Sequence, residues 1–202
     1  MNFKEVYKTL EKNRYFVFSF DDLQVFFPRV SKGNLKKLIY RWKDKGWLVS
    51  LKRGLYELTY PKQLTIPDMY IANRLYYPSY VSLETALSHY SIIPEVSMAV
   101  TSLTTKPTRR FKNKYGLFIY HTIRPKMYIG YTVEKQRSFE FFIAEPEKAL
   151  IDYLYFSKLH KNSLKFRDER FDKNMIKKMS KRKLKKYAQL YNLDIGGLYA
   201  YL

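Results

Sequence analysis

The stretch from residue 31 to residue 46 has the clearest hydrophobic pattern in the chain. Its apolar side chains follow the i, i+3, i+4, i+7 spacing of one helix face, and they belong to Leu35, Leu38, Ile39 and Trp42. Ser31 can cap the first turn and Gly46 follows the last periodic turn, so the sequence marks where this helix starts and stops. The same periodicity turns the remaining positions outward, namely Gly33, Lys36, Lys37, Tyr40 and Arg41.

Two short β-prone runs follow this helix directly. They span residues 47–51 and 55–59, and Lys52, Arg53 and Gly54 separate them. Because a tight hairpin turn favours a residue that accepts positive φ, the glycine supports a turn at this point. The sequence therefore predicts a β-hairpin with a basic tip immediately after a basic helix.

The residues upstream predict three further elements. Residues 3–10 have a helical pattern, residues 15–18 are β-prone, and Ser19 with Asp22 resembles a capping box that opens a second helix through Phe27. Pro28 ends that helix because proline cannot continue the hydrogen-bond ladder. The resulting order is typical of a winged helix-turn-helix domain, with a recognition helix followed by a wing. A plainer interpretation, an amphipathic helix beside a lysine-rich surface hairpin, stays open.

The pattern changes between Pro61 and Pro67, which predicts two domains, residues 1–62 and 63–202. The second part predicts short helices over 68–76 and 82–90, a turn over 77–80, and strands over 96–103, 116–123, 127–133 and 139–143. A helix over 147–156 and a basic helix over 171–191 follow. The predicted fold is therefore α+β: an N-terminal winged helix-turn-helix domain, then an α+β domain with a mainly antiparallel sheet and a basic C-terminal helix.

Net charge narrows the class of partner. The 202-residue chain has 38 Lys and Arg against 18 Asp and Glu, a formal net charge of +20. This imbalance favours a polyanion, either nucleic acid or an anionic membrane surface. No run of about 18 apolar residues is present, and the first residues, MNFKEVYKTLEKN, lack the apolar core of a signal peptide. We therefore expect a nucleic-acid partner, no membrane association and a cytoplasmic location.

Composition also limits the chemistry. The absence of cysteine excludes disulfides, thiol catalysis and cysteine-containing zinc sites. The three histidines, His89, His121 and His160, are far apart and lack partners at metal-ligand spacing. Acidic residues cluster near one predicted helix start, where they complement the helix dipole; they are Glu145, Glu147 and Asp152. No catalytic residue, metal or cofactor is predicted, and an enzyme is the least supported class.

The DNA contacts are expected on the basic helix and the hairpin tip. Lysine and arginine on a helix in the major groove neutralise phosphates, while Asn34, Tyr40 and Arg41 can reach base edges or sugars. The hairpin tip fits the adjacent minor groove or backbone. The predicted DNA-binding residues are Ser31, Lys32, Asn34, Lys36, Lys37, Tyr40, Arg41, Lys52 and Arg53.

Three short motifs, taken in order and spacing, resemble a known family. They are KRGLY at residues 52–56, YVSLETALSHY at 80–90 with Ile93-Pro94 after it, and AEPEKALID at 144–152. Together they make the chain similar, over roughly residues 1–157, to the AbiEi-type antitoxins and transcriptional regulators of bacterial abortive-infection, type IV toxin–antitoxin systems.

The resemblance implies a division of labour. A winged-helix domain represses the operon by binding inverted repeats in its promoter, and a second domain supplies antitoxicity. It also implies a functional partner, a toxin of nucleotidyltransferase type, which is counteracted without a stable complex. The basic C-terminal segment belongs to none of the three motifs.

A second class of function remains open. The chain could be an RNA-binding or toxin-binding interaction protein in which the winged helix is only structural. Tyrosines that stack on bases would favour RNA, and the candidates are Tyr76, Tyr77, Tyr80 and Tyr120. The basic C-terminal helix either extends the DNA footprint or closes the second domain with its lysines in solvent.

Overall fold

The computed structural model describes residues 1–61, 65–161 and 170–201. The chain forms two compact units, Met1–Ile66 and Pro67–Leu202. Both units combine helices with a β-sheet, so the fold class is α+β. The boundary predicted after residue 62 lies outside the described residues.

The described residues of unit 1 form three helices and a three-stranded antiparallel sheet in the order β1-β3-β2. The helices are α1 (Phe3–Lys12), α2 (Phe20–Phe26) and α3 (Lys32–Asp44), and the strands are β1 (Val17–Ser19), β2 (Leu48–Lys52) and β3 (Leu55–Leu58). Apolar side chains from all three helices meet in one core, which includes Leu10, Leu23, Leu35, Ile39 and Trp42. Burial of these side chains is the main force that holds the helices against the sheet.

Local signals explain where α2 starts and stops. The predicted capping box is present, since the Ser19 N–H donates to Asp22 Oδ2 at 2.7 Å and the Asp22 N–H donates to Ser19 Oγ at 3.0 Å. The helix ends at Phe26, one residue earlier than predicted, because Phe27 leaves helical geometry before Pro28.

Unit 2 is built on a six-stranded sheet in the order β6-β7-β5-β4-β9-β8. The strands are β4 (Ser79–Val81), β5 (Ala99–Thr104), β6 (Arg109–Asn113), β7 (Gly116–Thr122), β8 (Tyr131–Gln136) and β9 (Phe139–Ala144). The helices are α4 (Asp68–Leu75), α5 (Leu83–His89), α6 (Pro146–Lys161), α7 (Lys173–Lys177), α8 (Lys181–Leu190) and α9 (Gly196–Tyr201), with a 3₁₀ turn at Pro125–Met127. The sheet is mixed, because β4 pairs in parallel with β9 and β5 pairs in parallel with β7.

Several predicted elements of unit 2 are corrected by the structure. Ser79 and Tyr80, predicted as part of a turn, instead form with Val81 the fully buried strand β4 between β5 and β9. Strand β6 was not predicted, because an edge strand in solvent does not need the apolar alternation that marks a half-buried strand. The strand predicted over 127–133 is shifted, since Met127 ends the 3₁₀ turn and β8 begins at Tyr131.

Helix α6 is the central helix of unit 2 and runs five residues beyond its predicted end at Phe156. The helical spacing of Ala149, Leu150, Tyr153 and Leu154 predicts one buried face, and three of the four are at 0% exposure, while Tyr153 is half-buried. Helix α6 is also the longest helix described, with 16 residues. Neither α6 nor any other helix in the described ranges is long and apolar enough to cross a bilayer.

The basic segment predicted as one helix over 171–191 forms two, α7 and α8. The break has a local cause, because Ser180 caps α8 through Lys183 N–H and its own N–H donates to Glu147 Oε1 at 2.9 Å. Apolar side chains of both helices are buried, among them Ile176 and Leu184. Apart from Lys183, which is half-buried, the lysines of the two helices face solvent, as in the interpretation of a packed helix that closes the domain.

Candidate nucleic-acid interface

Helix α3 is fixed against unit 1 by its apolar face. Leu35, Ile39 and Trp42 are at most 5% exposed, and Leu38 is half-buried, so the predicted helix phase is confirmed. Ser31 caps the helix by accepting from the Asn34 N–H at 3.3 Å. Gly46, with φ of +69°, then turns the chain towards β2. The opposite face of α3 is therefore held in one orientation towards solvent.

The exposed face of α3 forms a basic hollow. Lys36, Lys37, Tyr40 and Arg41 line an open depression of about 600 Å³. Tyr40 is 73% exposed, an unusual setting for a large aromatic ring that contributes nothing to the core. Cations around an exposed aromatic ring suit a polyanion whose bases or sugars offer flat surfaces.

The β2–β3 hairpin is anchored at both ends. At its base, Thr59 Oγ1 donates to the Gly46 carbonyl at 2.8 Å, next to the end of α3. At its tip, the Gly54 carbonyl accepts from the Phe20 N–H at 3.2 Å, at the start of α2. Gly54 has φ of +80°, which the tight turn requires and which a side chain would strain. These bonds fix the hairpin relative to the helices.

A second depression joins the helix to the hairpin tip. It has a volume of about 350 Å³ and is lined by Lys36, Tyr40 and Lys43 of α3 together with Arg53 and Gly54 of the tip. A helix and a hairpin tip thus present cations to one surface. Phe20, Ile39 and Tyr56 complete its lining.

The structure places the nine predicted DNA-binding residues in two groups. Lys36, Lys37, Tyr40, Arg41 and Arg53 line the two depressions described above. Ser31, Lys32 and Asn34 lie exposed at the start of α3, and Lys52 is half-buried at the end of β2.

Sequence reasoning missed Lys43 as a member of this surface. Lys43 follows Lys36 by seven residues and Tyr40 by three, so the same helical spacing would have included it.

The most concentrated polar chemistry of unit 2 is buried. Lys148 and Asp152 are fully buried, and they form an i, i+4 ion pair on α6. The Lys148 ammonium also donates to Tyr80 Oη at 2.8 Å and to Tyr191 Oη at 3.0 Å. Asp152 accepts in turn from Tyr80, from Tyr191 and from Ser82 Oγ, the last at 2.8 Å. We call Tyr80, Ser82, Lys148, Asp152 and Tyr191 the buried ionic cluster.

Burial and nearby charge shift the pKa values of Lys148, Tyr80 and Tyr191 in the buried ionic cluster. Burial lowers the pKa of Lys148, and the adjacent Asp152 carboxylate opposes that shift. Burial and the same carboxylate raise the pKa of the Tyr80 and Tyr191 phenols well above the ordinary value. Because every member is enclosed and hydrogen-bonded, the cluster ties β4, α6 and the residue after α8 together.

The acidic residues of this region do more than complement a helix dipole. Asp152 was predicted near the helix start, but it lies in the second turn and pairs with Lys148. Glu145 Oε2 accepts from Tyr187 Oη at 2.7 Å and lies 3.1 Å from Lys183 Nζ. Burial would raise the pKa of Glu145, but the bonds from Tyr187 and Lys183 lower it below its usual value. Glu145 therefore docks α8 onto the start of α6.

The described histidines contact different parts of unit 2 and share no site. His89 Nε2 lies 2.7 Å from Glu134 Oε2, and the His121 ring contacts Phe156. The His160 side chain lies outside the described residues. Within the described part of the chain, no three His, Asp or Glu side chains come together as a metal-binding group.

Three of the four tyrosines considered for stacking on bases are unsuitable. Tyr80 and Tyr120 are fully buried, and Tyr76 is 9% exposed. Tyr120 donates to the Ala72 carbonyl at 2.6 Å, which marks it as a core residue with a satisfied hydroxyl. Tyr77, at 68% exposure, is the one of the four that solvent reaches freely.

Comparison with known proteins adds no relative: no family model and no curated protein matches the chain.

Proposed function

We propose that the chain is a DNA-binding transcriptional autorepressor that also acts as the antitoxin of a type IV toxin–antitoxin system. In this proposal unit 1 is a winged helix-turn-helix domain, α3 is its recognition helix, and the β2–β3 hairpin is its wing. Unit 2 supplies antitoxicity against a nucleotidyltransferase-type toxin without a stable complex. The chain acts in the cytoplasm and carries out no catalysis.

The observation that carries the DNA-binding part is the depression shared by α3 and the hairpin tip. Lys36 and Lys43 of the helix and Arg53 of the tip line this second depression, together with Tyr40. A duplex placed against α3 meets cations from both elements, so the phosphates on either side of a groove can be neutralised together. Asn34, Tyr40 and Arg41 are the exposed side chains with groups that can reach base edges.

The antitoxin part rests on the resemblance of the three motifs to AbiEi-type proteins. The geometry gives two of these motifs a physical purpose. KRGLY supplies the hairpin tip, and AEPEKALID supplies Glu145, Lys148 and Asp152, which hold unit 2 together. The alternative, an RNA-binding or toxin-binding interaction protein, is supported by the exposure of Tyr77.

A promoter assay tests the proposal. We expect Lys52→Ala with Arg53→Ala to abolish repression of a reporter driven by the DNA upstream of the chain's own gene, because the wing loses both cations. A control variant, Lys4→Ala with Lys8→Ala, removes the same charge from the exposed face of α1 and should repress normally. Equal repression by the two variants, at equal protein levels, would show that the tip does not bind the promoter.

Gly33 offers a second test, in which stability and DNA binding move in opposite directions. It lies on the outward stripe of α3, one turn before Lys36 and Lys37, and a Cβ at this position would meet no atom within 4 Å. Since glycine is a poor helix former, Gly33→Ala should stabilise unit 1 by about 0.5–1 kcal/mol in a denaturant titration.

The expected effect on DNA binding has the opposite sign. If Gly33 allows α3 to approach the duplex closely, the added methyl group weakens binding, and a larger side chain in Gly33→Leu weakens it further. Thr132→Leu is the control, because it adds bulk at an exposed, uncharged position of β8, in unit 2. Unchanged affinity of Gly33→Leu would exclude close contact at this position.

A further inference from the structure

Unit 2 contains a long segment without any negative charge. Between Glu95 and Glu134 the chain has no aspartate or glutamate, yet it has seven lysines and arginines. They are Lys106, Arg109, Arg110, Lys112, Lys114, Arg124 and Lys126. The whole chain has about one acidic residue for every two basic ones, 18 against 38. The segment therefore has a larger excess of positive charge than the chain average predicts.

Five of these cations follow one another along the edge of the sheet. Strand β6 is the last strand on its side, paired with β7 alone, and the cations lie on it and on the residues that flank it. We call Lys106, Arg109, Arg110, Lys112 and Lys114 the β6 ridge. Alternate residues of a strand share a face about 7 Å apart, so Arg110 and Lys112 point the same way.

Four cations of the β6 ridge have no carboxylate partner among the described residues. Lys106, Arg109, Arg110 and Lys112 are all exposed. Among the residues that the structure describes, no carboxylate forms an ion pair with these four side chains. Neighbouring positive charges without counter-charges repel one another, and an anionic partner would relieve that repulsion.

Two of the cations are held in place. Lys106 Nζ lies 5.5 Å and Arg109 Cζ 5.6 Å from the centre of the Tyr76 ring. The loop that carries Lys106 is fixed as well, because its carbonyl accepts from Thr122 Oγ1 at 2.8 Å and the Pro107 carbonyl accepts from Tyr76 Oη at 3.1 Å. Lys106 and Arg109 are therefore ordered before any partner binds, which lowers the entropic cost of binding through them.

The lack of apolar anchors identifies the kind of partner. No large hydrophobic side chain between Met98 and Ile129 is exposed in the described structure. Protein interfaces are centred on aromatic and apolar anchors and contain few lysines, so the segment does not resemble a protein-binding surface. A row of cations alone suits the sugar–phosphate backbone of a nucleic acid.

We propose that the β6 ridge is a nucleic-acid site of unit 2, which binds the phosphate backbone without reading sequence. The inference does not depend on the DNA site proposed for unit 1. The ligand is a phosphodiester backbone, whose sources are RNA, single-stranded DNA and duplex DNA.

The test uses the full chain with the unit 1 surface disabled by Lys36→Ala, Lys37→Ala and Arg41→Ala. Fluorescence anisotropy measures binding of labelled RNA, single-stranded DNA and duplex DNA of about 30 nucleotides, longer than one site requires. Arg110→Gln with Lys112→Gln is then added to this chain. The matched control adds Lys4→Gln with Lys8→Gln, which removes the same charge from the exposed face of α1.

We expect the ridge variant to bind at least about 10-fold more weakly than the control. The slope of log affinity against log salt should also fall in magnitude by about 1.4 for a single strand or about 1.8 for a duplex, as two lost phosphate contacts require. Of the three nucleic acids, the one whose affinity falls most in the ridge variant is the source of the backbone. Thermal melts should show that both variants remain folded, because Arg110 and Lys112 make no ion pair in the described structure.

Two results would overturn the proposal. One is an equal loss in the ridge and control variants, which would mean that net charge alone drives binding. The other is equally effective competition by poly-glutamate at matched charge, which would mean that the ridge does not select phosphates. Because the unit 1 surface is disabled throughout, neither result bears on the proposed function of α3.

Discussion

Replacement of Lys36, Lys37 and Arg41 with alanine is expected to weaken duplex DNA binding by about 100-fold or more at about 100 mM salt. All three side chains are exposed and line the basic hollow on α3. Lost phosphate and base contacts of this type are worth about 1–3 kcal/mol each, and about 1.4 kcal/mol corresponds to a tenfold change in affinity. The effect is therefore large even if one of the three side chains contributes little.

The matched control for this variant is Lys4→Ala, Lys8→Ala and Lys12→Ala. These residues lie on the exposed face of α1, so the control loses the same charge from the same unit. We expect the affinity of the control to stay within about threefold of the wild type, because its lost charges act on the DNA only through screened long-range attraction. If both triple variants lost affinity to the same extent, binding would depend on net charge and not on the α3 surface.

The second large effect concerns the stability of unit 2. Asp152→Asn should destabilise this unit by about 3–5 kcal/mol, because the Lys148 ammonium stays buried after its counter-charge is removed. The reduced pKa of Lys148 shows the same cost, since burial already disfavours its charged form. The neutral amide keeps the shape of the carboxylate, so the loss reports charge rather than packing.

Two comparisons make this prediction specific. Glu95→Gln breaks the exposed ion pair between Arg170 and Glu95, at 3.1 Å, and should have no measurable effect. The double change Lys148→Met with Asp152→Leu removes both buried charges and should be less destabilising than the sum of its single changes by at least about 1 kcal/mol. An additive double variant would mean that the two charges do not stabilise each other.

The tryptophans allow the two units to be followed separately. The chain has two, Trp42 and Trp47, and both belong to unit 1. Denaturation followed by tryptophan fluorescence therefore reports unit 1, whereas circular dichroism reports both units. Asp152→Asn should move the circular dichroism transition and leave the fluorescence transition in place.

Helix α3 could be predicted because all the information lies within it. One apolar stripe, a serine cap and a terminal glycine set its phase and its ends, so the outward residues follow by rotation. The hairpin is also local, since its two strands are adjacent in sequence and a glycine occupies the turn. These are the elements that carry the proposed interface, which is why most of its residues could be named from the sequence.

The parts that the sequence did not predict depend on distant partners. Strand β4 is three residues long, and it is a strand only because β5 and β9 lie on either side of it. The buried ionic cluster joins Lys148 to Tyr80 and Tyr191, which are 68 and 43 residues away. The i, i+4 spacing of Lys148 and Asp152 was visible, but burial of that pair could not be inferred without the sheet beneath it.

The salt dependence of DNA binding tests most directly whether unit 1 binds duplex DNA through phosphate contacts. Affinity of the full chain for a duplex of its own promoter should be titrated between 50 and 200 mM salt, with the α3 triple variant measured in parallel. If about six phosphates are contacted, wild-type affinity should fall about 10³-fold over this range, and the triple variant should show a slope smaller in magnitude by about 2–3. A wild-type affinity that does not change with salt, or a slope that the triple variant shares, would contradict the account.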